Sequence, residues 1–298
     1  MSVTSKTCDR IAILVHGFAG KRGFMGEIEK CLACSSLPNI YDDIVNVSYY
    51  NSKYGLDFSR PYDLKTPIYD PGTEQTLSNH FLNLINSSIQ DHPSPVCIDI
   101  FAHSMGGLVT RAMIKYLAPF KDRKYRFSRI FLLGTPNHGT RLAQRIINIP
   151  TDILLTGLNL ALELPRGGVS MSDWQILKSQ FIQMVPTSKF LVDLNKNLTE
   201  EEKSIKWFTV RGLNSSGLLQ SVWQPLLFRK FWINRKFPYL HVGMIPNDGV
   251  VDASSVPLKH ATNLTVPSAT HMDLLKWNSK KAGKLVRDLL TPFILSIS

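Results

Sequence analysis

The sequence predicts an α/β fold in which a mostly parallel central sheet carries helices on both faces. Apolar runs of strand length recur at Ile11–Val15, Pro95–Ile100 and Ile130–Leu133, and helical patterns alternate with them. The runs are mostly continuous, with Asp99 as the charged exception, rather than apolar at every second residue, which is typical of parallel strands buried on both faces. Because the carboxyl ends of parallel strands meet at one edge of a sheet, we expect the functional residues to lie on that edge.

The composition is that of a soluble globular protein. Of the 298 residues, 44% are hydrophobic and 19% charged, and the formal net charge is +11. This balance fits an anionic partner or simply a basic surface. No nucleic-acid-binding motif accompanies the basic residues, so nucleic acid is not an expected partner. Residues 1–10 lack an apolar signal-peptide core, and the apolar stretch Ile153–Leu164 is shorter than the ~20 residues that span a bilayer, so a cytoplasmic location is favoured.

The cysteines predict no metal or redox site. Cys97 lies within a predicted strand and is interpreted as a small core residue. Cys31 and Cys34 have the spacing of a redox motif, but they lie on a predicted helix without further ligands nearby. We therefore interpret them as two helix cysteines without a catalytic role.

Helices and strands alternate through the first half of the chain. The pattern predicts a helix over 25–37, a strand over 43–49, a long surface loop over 51–72, a helix over 73–89 and a helix over 108–118. The loop follows a strand and would lie on the functional edge of the sheet. The basic run Lys121–Arg129 is interpreted as a solvated connector.

From Arg141 the alternation stops, which indicates insertions into the sheet domain. The predicted core comprises 1–140, 203–212 and 243–298. We expect 141–202 to form a helical cap or lid and 213–242 to form a second insertion, rich in aromatic and basic residues and without Asp or Glu. This second composition indicates a lid or a contact with an anionic lipid surface, and ordinary core packing is the alternative. The chain should end with a strand over 261–267 and a helix over 274–290.

The clearest functional signal is the stretch Phe101–Gly107, in which Ser104 lies between a predicted strand and a predicted helix. This is the context of a nucleophile elbow, written G-x-S-x-G, with Ala102 and Gly106 at the small flanking positions. Small residues are needed there because the strand turns sharply into the helix. Ser104 is therefore the candidate nucleophile.

A serine nucleophile needs a base and a residue that orients the base. His271 follows the last predicted strand, which is where the base of such an enzyme is expected. Asp248 precedes it in Asn-Asp-Gly and fits the orienting acid, and Asp252 is the main rival. Other histidines on the functional edge, and the glycine after one of them, are candidate substrate-binding residues: His16, Gly17, His103 and His138.

The developing oxyanion needs hydrogen-bond donors. The backbone N–H of Met105 lies at the start of the helix after Ser104, where the helix dipole favours negative charge. The backbone N–H of Phe18 lies in the glycine-bearing loop after the first strand. We expect these groups to form the oxyanion hole.

Together these motifs resemble the α/β-hydrolase lipases, in particular bacterial triacylglycerol lipases and lipase-like serine esterases. The resemblance rests on the blocks His16–Phe18, Ala102–Gly107, Gly134–Gly139, Asn247–Val251 and His271–Asp273. It implies an α/β-hydrolase fold, carboxylic-ester hydrolysis and a Ser104–Asp248–His271 triad. In that family the position of Asp273 can ligate a structural calcium ion. No acidic residue between Lys203 and Asn247 supplies the second ligand, so no cofactor is expected.

The leading hypothesis is a serine hydrolase of lipid or other apolar acyl esters. An acyltransferase or thioesterase would use the same residues. A protein of this fold that binds anionic membranes without catalysis is the alternative from another class, and the presence of candidates for all triad roles argues against it.

Overall fold

The computed structural model describes residues 8–18, 22–34, 40–47, 77–92, 95–117, 124–148, 180–215 and 246–296. The predicted loop over 51–72, the apolar stretch 153–164 and almost all of the insertion 213–242 lie outside these ranges. The interpretation of that insertion as a lid or lipid contact therefore stays a prediction.

The centre of the fold is a six-stranded sheet in which every neighbouring pair of strands is parallel. The strands are β1 (Asp9–Val15), β2 (Asp43–Val47), β3 (Val96–His103), β4 (Tyr125–Leu133), β5 (Lys206–Gly212) and β6 (Thr262–Val266). Their order across the sheet is β2-β1-β3-β4-β5-β6. β3, which leads to Ser104, is buried along its whole length.

Helices cover both faces of this sheet. They are α1 (Arg22–Ala33), α2 (Leu77–Ile89), α3 (Met105–Leu117), α4 (Arg141–Ile146), α5 (Lys189–Leu194), α6 (Glu200–Ser204) and α7 (Lys281–Leu295), with 3-10 turns at Ala253–Ser255 and Asp273–Leu275. Within the ranges that the structure describes, no helix is long and apolar enough to cross a bilayer.

Alternate side chains of the strands form two apolar layers. On one face, Ile98 and Ile100 pack in a cluster with residues of α2 and α3 such as Phe81 and Met113. On the other face, Phe101 stacks on Phe131, and this cluster extends to α1 and α7. The continuous apolar runs are thus explained by burial on both sides, and the predicted fold class is confirmed.

The amino-terminal edge of the sheet contains a buried ion pair that the sequence did not indicate. β4 begins at Tyr125, so the run Lys121–Arg129 is not a solvated connector throughout. Arg129 is 2% exposed and pairs with the fully buried Asp99 of β3. It also donates to the carbonyls of Phe293 and Ile294 in the last turn of α7. A buried arginine is tolerated there because carboxylate and carbonyl oxygens surround it.

The chain end differs from the predicted helix over 274–290. A 3-10 turn occupies Asp273–Leu275, and α7 begins only at Lys281. Between them Glu27 of α1 accepts hydrogen bonds from the backbone N–H groups of Asn278 and Ser279, both at 3.0 Å. These N–H groups bind a carboxylate from another element, and the continuous helix starts after them.

Cys97 is not simply a core residue, because it forms a disulfide with Cys8. The bond joins the segment before β1 to β3 at the amino-terminal edge. Cys31 and Cys34 lie at the end of α1, and the Cys34 thiol donates to the Cys31 carbonyl at 3.2 Å.

The second of the two described parts of the predicted cap, 180–202, contacts α3, the first part being 141–148. The buried Lys115 ammonium of α3 donates to the carbonyls of Leu194, Lys196 and Asn197 at 3.2, 3.0 and 2.8 Å. It also lies 3.8 Å from the carboxylate of Glu202 in α6. The helix that follows Ser104 is therefore bonded directly to this segment.

Candidate functional site

Ser104 occupies a strained turn between β3, which ends at His103, and α3, which begins at Met105. Its φ is 54°, a left-handed value that costs a non-glycine residue about 1–3 kcal/mol. Hydrogen bonds on both sides stabilise the turn: Ser104 N donates to Leu133 O at 2.9 Å, and Gly107 N donates to Ser104 O at 3.0 Å. The serine is 9% exposed.

The turn is packed too closely for side chains at its glycines. A Cβ on Gly106 would lie 2.3 Å from the carbonyl oxygen of His16, and a Cβ on Gly17 would lie 2.7 Å from Cβ of Ser104. The loop after β1 therefore passes directly against the serine turn. This contact brings Phe18, whose N–H is an expected oxyanion donor, to the same edge as Met105.

His271 and Asp248 form a buried pair. His271 Nδ1 lies 2.8 Å from Asp248 Oδ2, and the two side chains are 5% and 1% exposed. A carboxylate only accepts, so Nδ1 carries the proton and Nε2 has its lone pair available. The backbone N–H of His271 also donates to the carbonyl of Asp248 at 2.8 Å. The tautomer of His271 with its proton on Nδ1 is the one that a general base requires.

The loop around Asp248 orients its carboxylate. Oδ1 accepts from the N–H groups of Val250 and Val251 at 3.0 and 2.8 Å, which leaves Oδ2 directed to His271. Gly249, which lies between Asp248 and Val250, has a φ of 99°, a value that glycine adopts without strain. Asp252, the rival acid, instead pairs with the guanidinium of Arg141 at 2.6 Å.

Gly134 brings Ser104 and His271 to one place on the sheet edge. It follows Leu133, whose carbonyl accepts from Ser104 N. A Cβ on Gly134 would lie 3.0 Å from His271 Nδ1, and its φ of 60° carries the chain away from the strand. The predicted nucleophile, base and acid therefore lie at one edge of the sheet. The nucleophile follows β3, the acid is in the segment after β5 and the base is in the segment after β6, and the carboxyl end of β4 lies beside them.

Two of the predicted substrate-binding histidines are buried and bonded to the protein. His103 Nε2 lies 3.1 Å from the backbone carbonyl of His271, and His16 Nδ1 lies 2.8 Å from the carbonyl of Gly17. Burial lowers the pKa of His16 to about 4. Burial, followed by the adjacent His271, lowers the pKa of His103 well below its usual value. Both rings are therefore neutral at pH 7.

His138 and Phe18 lie at the rim of the site. His138 is exposed, with Nε2 3.0 Å from the carbonyl of Pro257, and its backbone N–H donates to Ser255 O at 3.0 Å. The ring of Phe18 packs on that of Phe181 with centroids 4.7 Å apart. An apolar side chain from the predicted cap thus lies against the loop of the expected oxyanion hole.

Sequence reasoning missed a buried network of polar side chains that joins α3 to the loop after β4 and to the residue after α5. Arg111 of α3 donates to Asn137 Oδ1 at 3.1 Å and to Asn195 Oδ1 at 2.9 Å. Asn195 Nδ2 donates to Asn137 O at 2.8 Å, and Asn137 Nδ2 donates to Val256 O at 2.5 Å. Burial lowers the pKa of Arg111 to about 10. The signal available in the sequence was Arg111 itself, a charged residue among the apolar residues of the helix after Ser104.

Asp273 is hydrogen-bonded within its own turn. Its Oδ2 accepts from the backbone N–H of Thr270 at 3.0 Å, and its own N–H donates to Thr270 Oγ1 at 3.2 Å. The described part of the chain contains no group of three or more His, Cys, Asp or Glu side chains placed to bind a metal ion. Asp273 therefore stabilises the turn that carries His271.

Comparisons with solved structures agree with this architecture. A lipase from Bacillus licheniformis, BlEst2 in its mature form, aligns over 97% of this chain and 93% of its own with 17% identity and a TM-score of 0.57. The peroxisomal alpha-beta-hydrolase Lpx1 from Saccharomyces cerevisiae aligns over 98% and 78% with 12% identity and a TM-score of 0.50. This protein has the α/β-hydrolase fold. A third structure of this kind, the phospholipase PlaB from Legionella pneumophila, aligns over 83% of this chain and 45% of its own, with 17% identity and a TM-score of 0.51.

Comparisons of sequence give less information than the comparisons of structure. A family described as a domain of unknown function, DUF7379, matches residues 73–177, a range that includes Ser104. No curated protein matches the chain in sequence.

Proposed function

We propose that the protein is a serine hydrolase of carboxylic esters with an apolar acyl group, such as lipid esters. The observation that supports it most directly is the His271–Asp248 pair at 2.8 Å, which fixes the base tautomer on the sheet edge where Ser104 occupies its strained turn. The similar solved structures include a protein named as a lipase and one named as a phospholipase.

In the proposed mechanism Ser104 Oγ attacks the ester carbonyl carbon while His271 Nε2 takes its proton. The tetrahedral intermediate collapses as His271 returns the proton to the leaving alcohol, and an acyl-serine remains. Water then attacks the acyl-serine with His271 again as base, and the acid is released. Asp248 stays ionised throughout and stabilises the imidazolium that forms twice in each cycle.

The N–H groups of Met105 and Phe18 would donate to the oxyanion in both intermediates. Met105 N is the first amide of α3, so the helix dipole adds to its hydrogen bond. One such donor is typically worth about 3 kcal/mol of barrier. The Phe18–Phe181 ring contact presents apolar surface beside this position, which supports an apolar acyl group.

The first experiment is Ser104→Ala assayed on p-nitrophenyl butyrate. We expect turnover to fall by at least about 10⁴-fold, because the nucleophile that accepts the acyl group is lost, and we expect the urea midpoint to change little, since alanine keeps the Cβ and the backbone conformation of the turn. A fluorophosphonate probe should label the wild-type chain at Ser104 and leave the variant unlabelled. Ser87→Ala, on the exposed face of α2, is the matched control. Full activity in Ser104→Ala would overturn the proposal.

The substrate class is tested with a series of p-nitrophenyl esters from acetyl to palmitoyl and with a matched thioester. An apolar acyl site predicts that kcat/KM rises with chain length beyond acetyl. A preference for acetyl esters would contradict the apolar acyl group, and a preference for the thioester would favour a thioesterase with the same residues.

A further inference from the structure

His103 links the two halves of the candidate site. It is the last residue of β3 and precedes Ser104 directly, yet its side chain is buried and reaches the segment after β6. Its ring lies against that of His271, with centroids 4.5 Å apart and the planes tilted by 44°. On the other side, a Cβ on Gly17 would lie 3.1 Å from His103 Nδ1, so the loop after β1 packs against the same ring.

The hydrogen bond of His103 has a defined direction. The carbonyl oxygen of His271 only accepts, so His103 Nε2, at 3.1 Å, carries the proton and donates it. His103 is therefore in the neutral Nε2–H tautomer with its Nδ1 lone pair toward Gly17. The titratable groups around it are His271 and His16, and Asp248 lies behind His271. A neutral ring here adds no positive charge beside His271 when His271 becomes an imidazolium.

The bonds of His271 show why this donor matters. Asp248 contacts His271 twice, through Oδ2 to Nδ1 and through its carbonyl to the backbone N–H, both at 2.8 Å. These bonds hold the base and the acid to each other but not to the serine. The bond from His103 connects the pair to the strand that carries Ser104.

We propose that His103 is a positioning residue for the base: its Nε2–H fixes the His271 backbone relative to Ser104 and so sets the approach of His271 Nε2 to the serine oxygen. The proposal rests on the proposed ester hydrolysis. In this proposal His103 positions His271 and does not contact the substrate.

The test compares His103→Leu, which fills similar space without a donor, with His103→Gln, whose side-chain amide can donate to the same carbonyl. In His103→Leu we expect kcat on p-nitrophenyl butyrate to fall about 10- to 100-fold, since small displacements of reacting groups cost that much, while KM changes less than about twofold. Fluorophosphonate labelling should slow by the same factor. His103→Gln should recover most of kcat.

A spectroscopic reading separates positioning from general damage. In wild type the His271 Nδ1 proton should give a deshielded NMR signal because it is bonded to the Asp248 carboxylate. We expect that signal to broaden in His103→Leu and to persist in His103→Gln. His92→Gln is the control, because His92 lies near Asp9 and Asp43 at the opposite edge of the sheet. If His103→Leu does not fold, His103→Met gives the same comparison with a more adaptable side chain.

Full activity in His103→Leu, or equal loss in His103→Leu and His103→Gln, would overturn the proposal. A rise in KM with unchanged kcat would instead assign His103 to substrate binding. Failure of the enzyme function itself is distinguishable, because in that case either the wild type would not hydrolyse p-nitrophenyl butyrate or Ser104→Ala would hydrolyse it as fast as the wild type.

Discussion

At the residue scale, two aspartates four positions apart in one loop have different partners. Asp248 is 1% exposed and bonds His271, whereas Asp252 pairs with Arg141, whose side chain is 42% exposed. In the sequence, both aspartates come within five residues after Asn247. The difference arises because the N–H groups of Val250 and Val251 bind Oδ1 of Asp248 and direct its other oxygen inward.

Replacing each acid by its amide tests this assignment. Asp248→Asn should lower kcat by roughly 10³- to 10⁴-fold, because the amide can donate to His271 Nδ1 and favour the wrong tautomer. Asp252→Asn loses a partly exposed ion pair and should change kcat only a few-fold. Steady-state kinetics on p-nitrophenyl butyrate measure both variants. If the order were reversed, the orienting acid would be Asp252.

At the element scale, the turn from β3 into α3 requires a close approach of the loop after β1. Gly106 supplies the space, since a Cβ there would lie 2.3 Å from the His16 carbonyl and 3.0 Å from a methyl of Val15. The neighbouring atoms belong largely to backbone and to a buried strand, so they cannot move aside at low cost.

Gly106→Ala should therefore lower the free energy of unfolding by about 1–3 kcal/mol, the usual cost of overpacking a core. Gly26→Ala in α1 is the matched control, since a Cβ there meets no atom of the described residues within 4 Å. In a helix that change should raise stability by up to about 1 kcal/mol. Urea unfolding measures both, and equal stability of the variants would contradict the close approach.

At the scale of the whole molecule, the two edges of the sheet differ. At the amino-terminal edge, neighbouring strands are joined by ion pairs and a disulfide, and the carboxyl-terminal edge carries the candidate site. Asp99 binds Arg129, Arg10 and the hydroxyl of Tyr41, and Arg129 reaches the end of α7. The Cys8–Cys97 disulfide lies at this same edge.

The disulfide spans a sequence separation of 89 residues. Closing a loop of that length restricts the unfolded chain and should stabilise the fold by about 4–5 kcal/mol in the chain-entropy account. Cys8→Ser should lose that amount in urea unfolding, whereas Cys34→Ser at the end of α1 should change little. Thiol titration of the denatured chain should find two thiols. Four would contradict the bond and would agree with the cytoplasmic location expected from the sequence, since disulfides persist mainly in oxidising compartments.

Local pattern was sufficient for the architecture and for much of the site. Mostly continuous apolar runs predicted parallel strands, and the turn with Ser104 was recognisable because its flanking residues must be small. The end of the chain was predicted less well, because Glu27, 251 positions before Asn278, binds the amides that would otherwise begin the helix.

The sequence by itself determined the α/β sheet, the place of Ser104 at a strand–helix turn and the candidates His271 and Asp248, because each depends on residues close together in the chain. Only the tertiary structure placed Asp248 against His271 and Asp252 against Arg141, paired Cys97 with Cys8 and directed His103 to the His271 carbonyl. Those outcomes depend on which distant side chains meet when the sheet closes, and spacing along the chain does not encode such contacts.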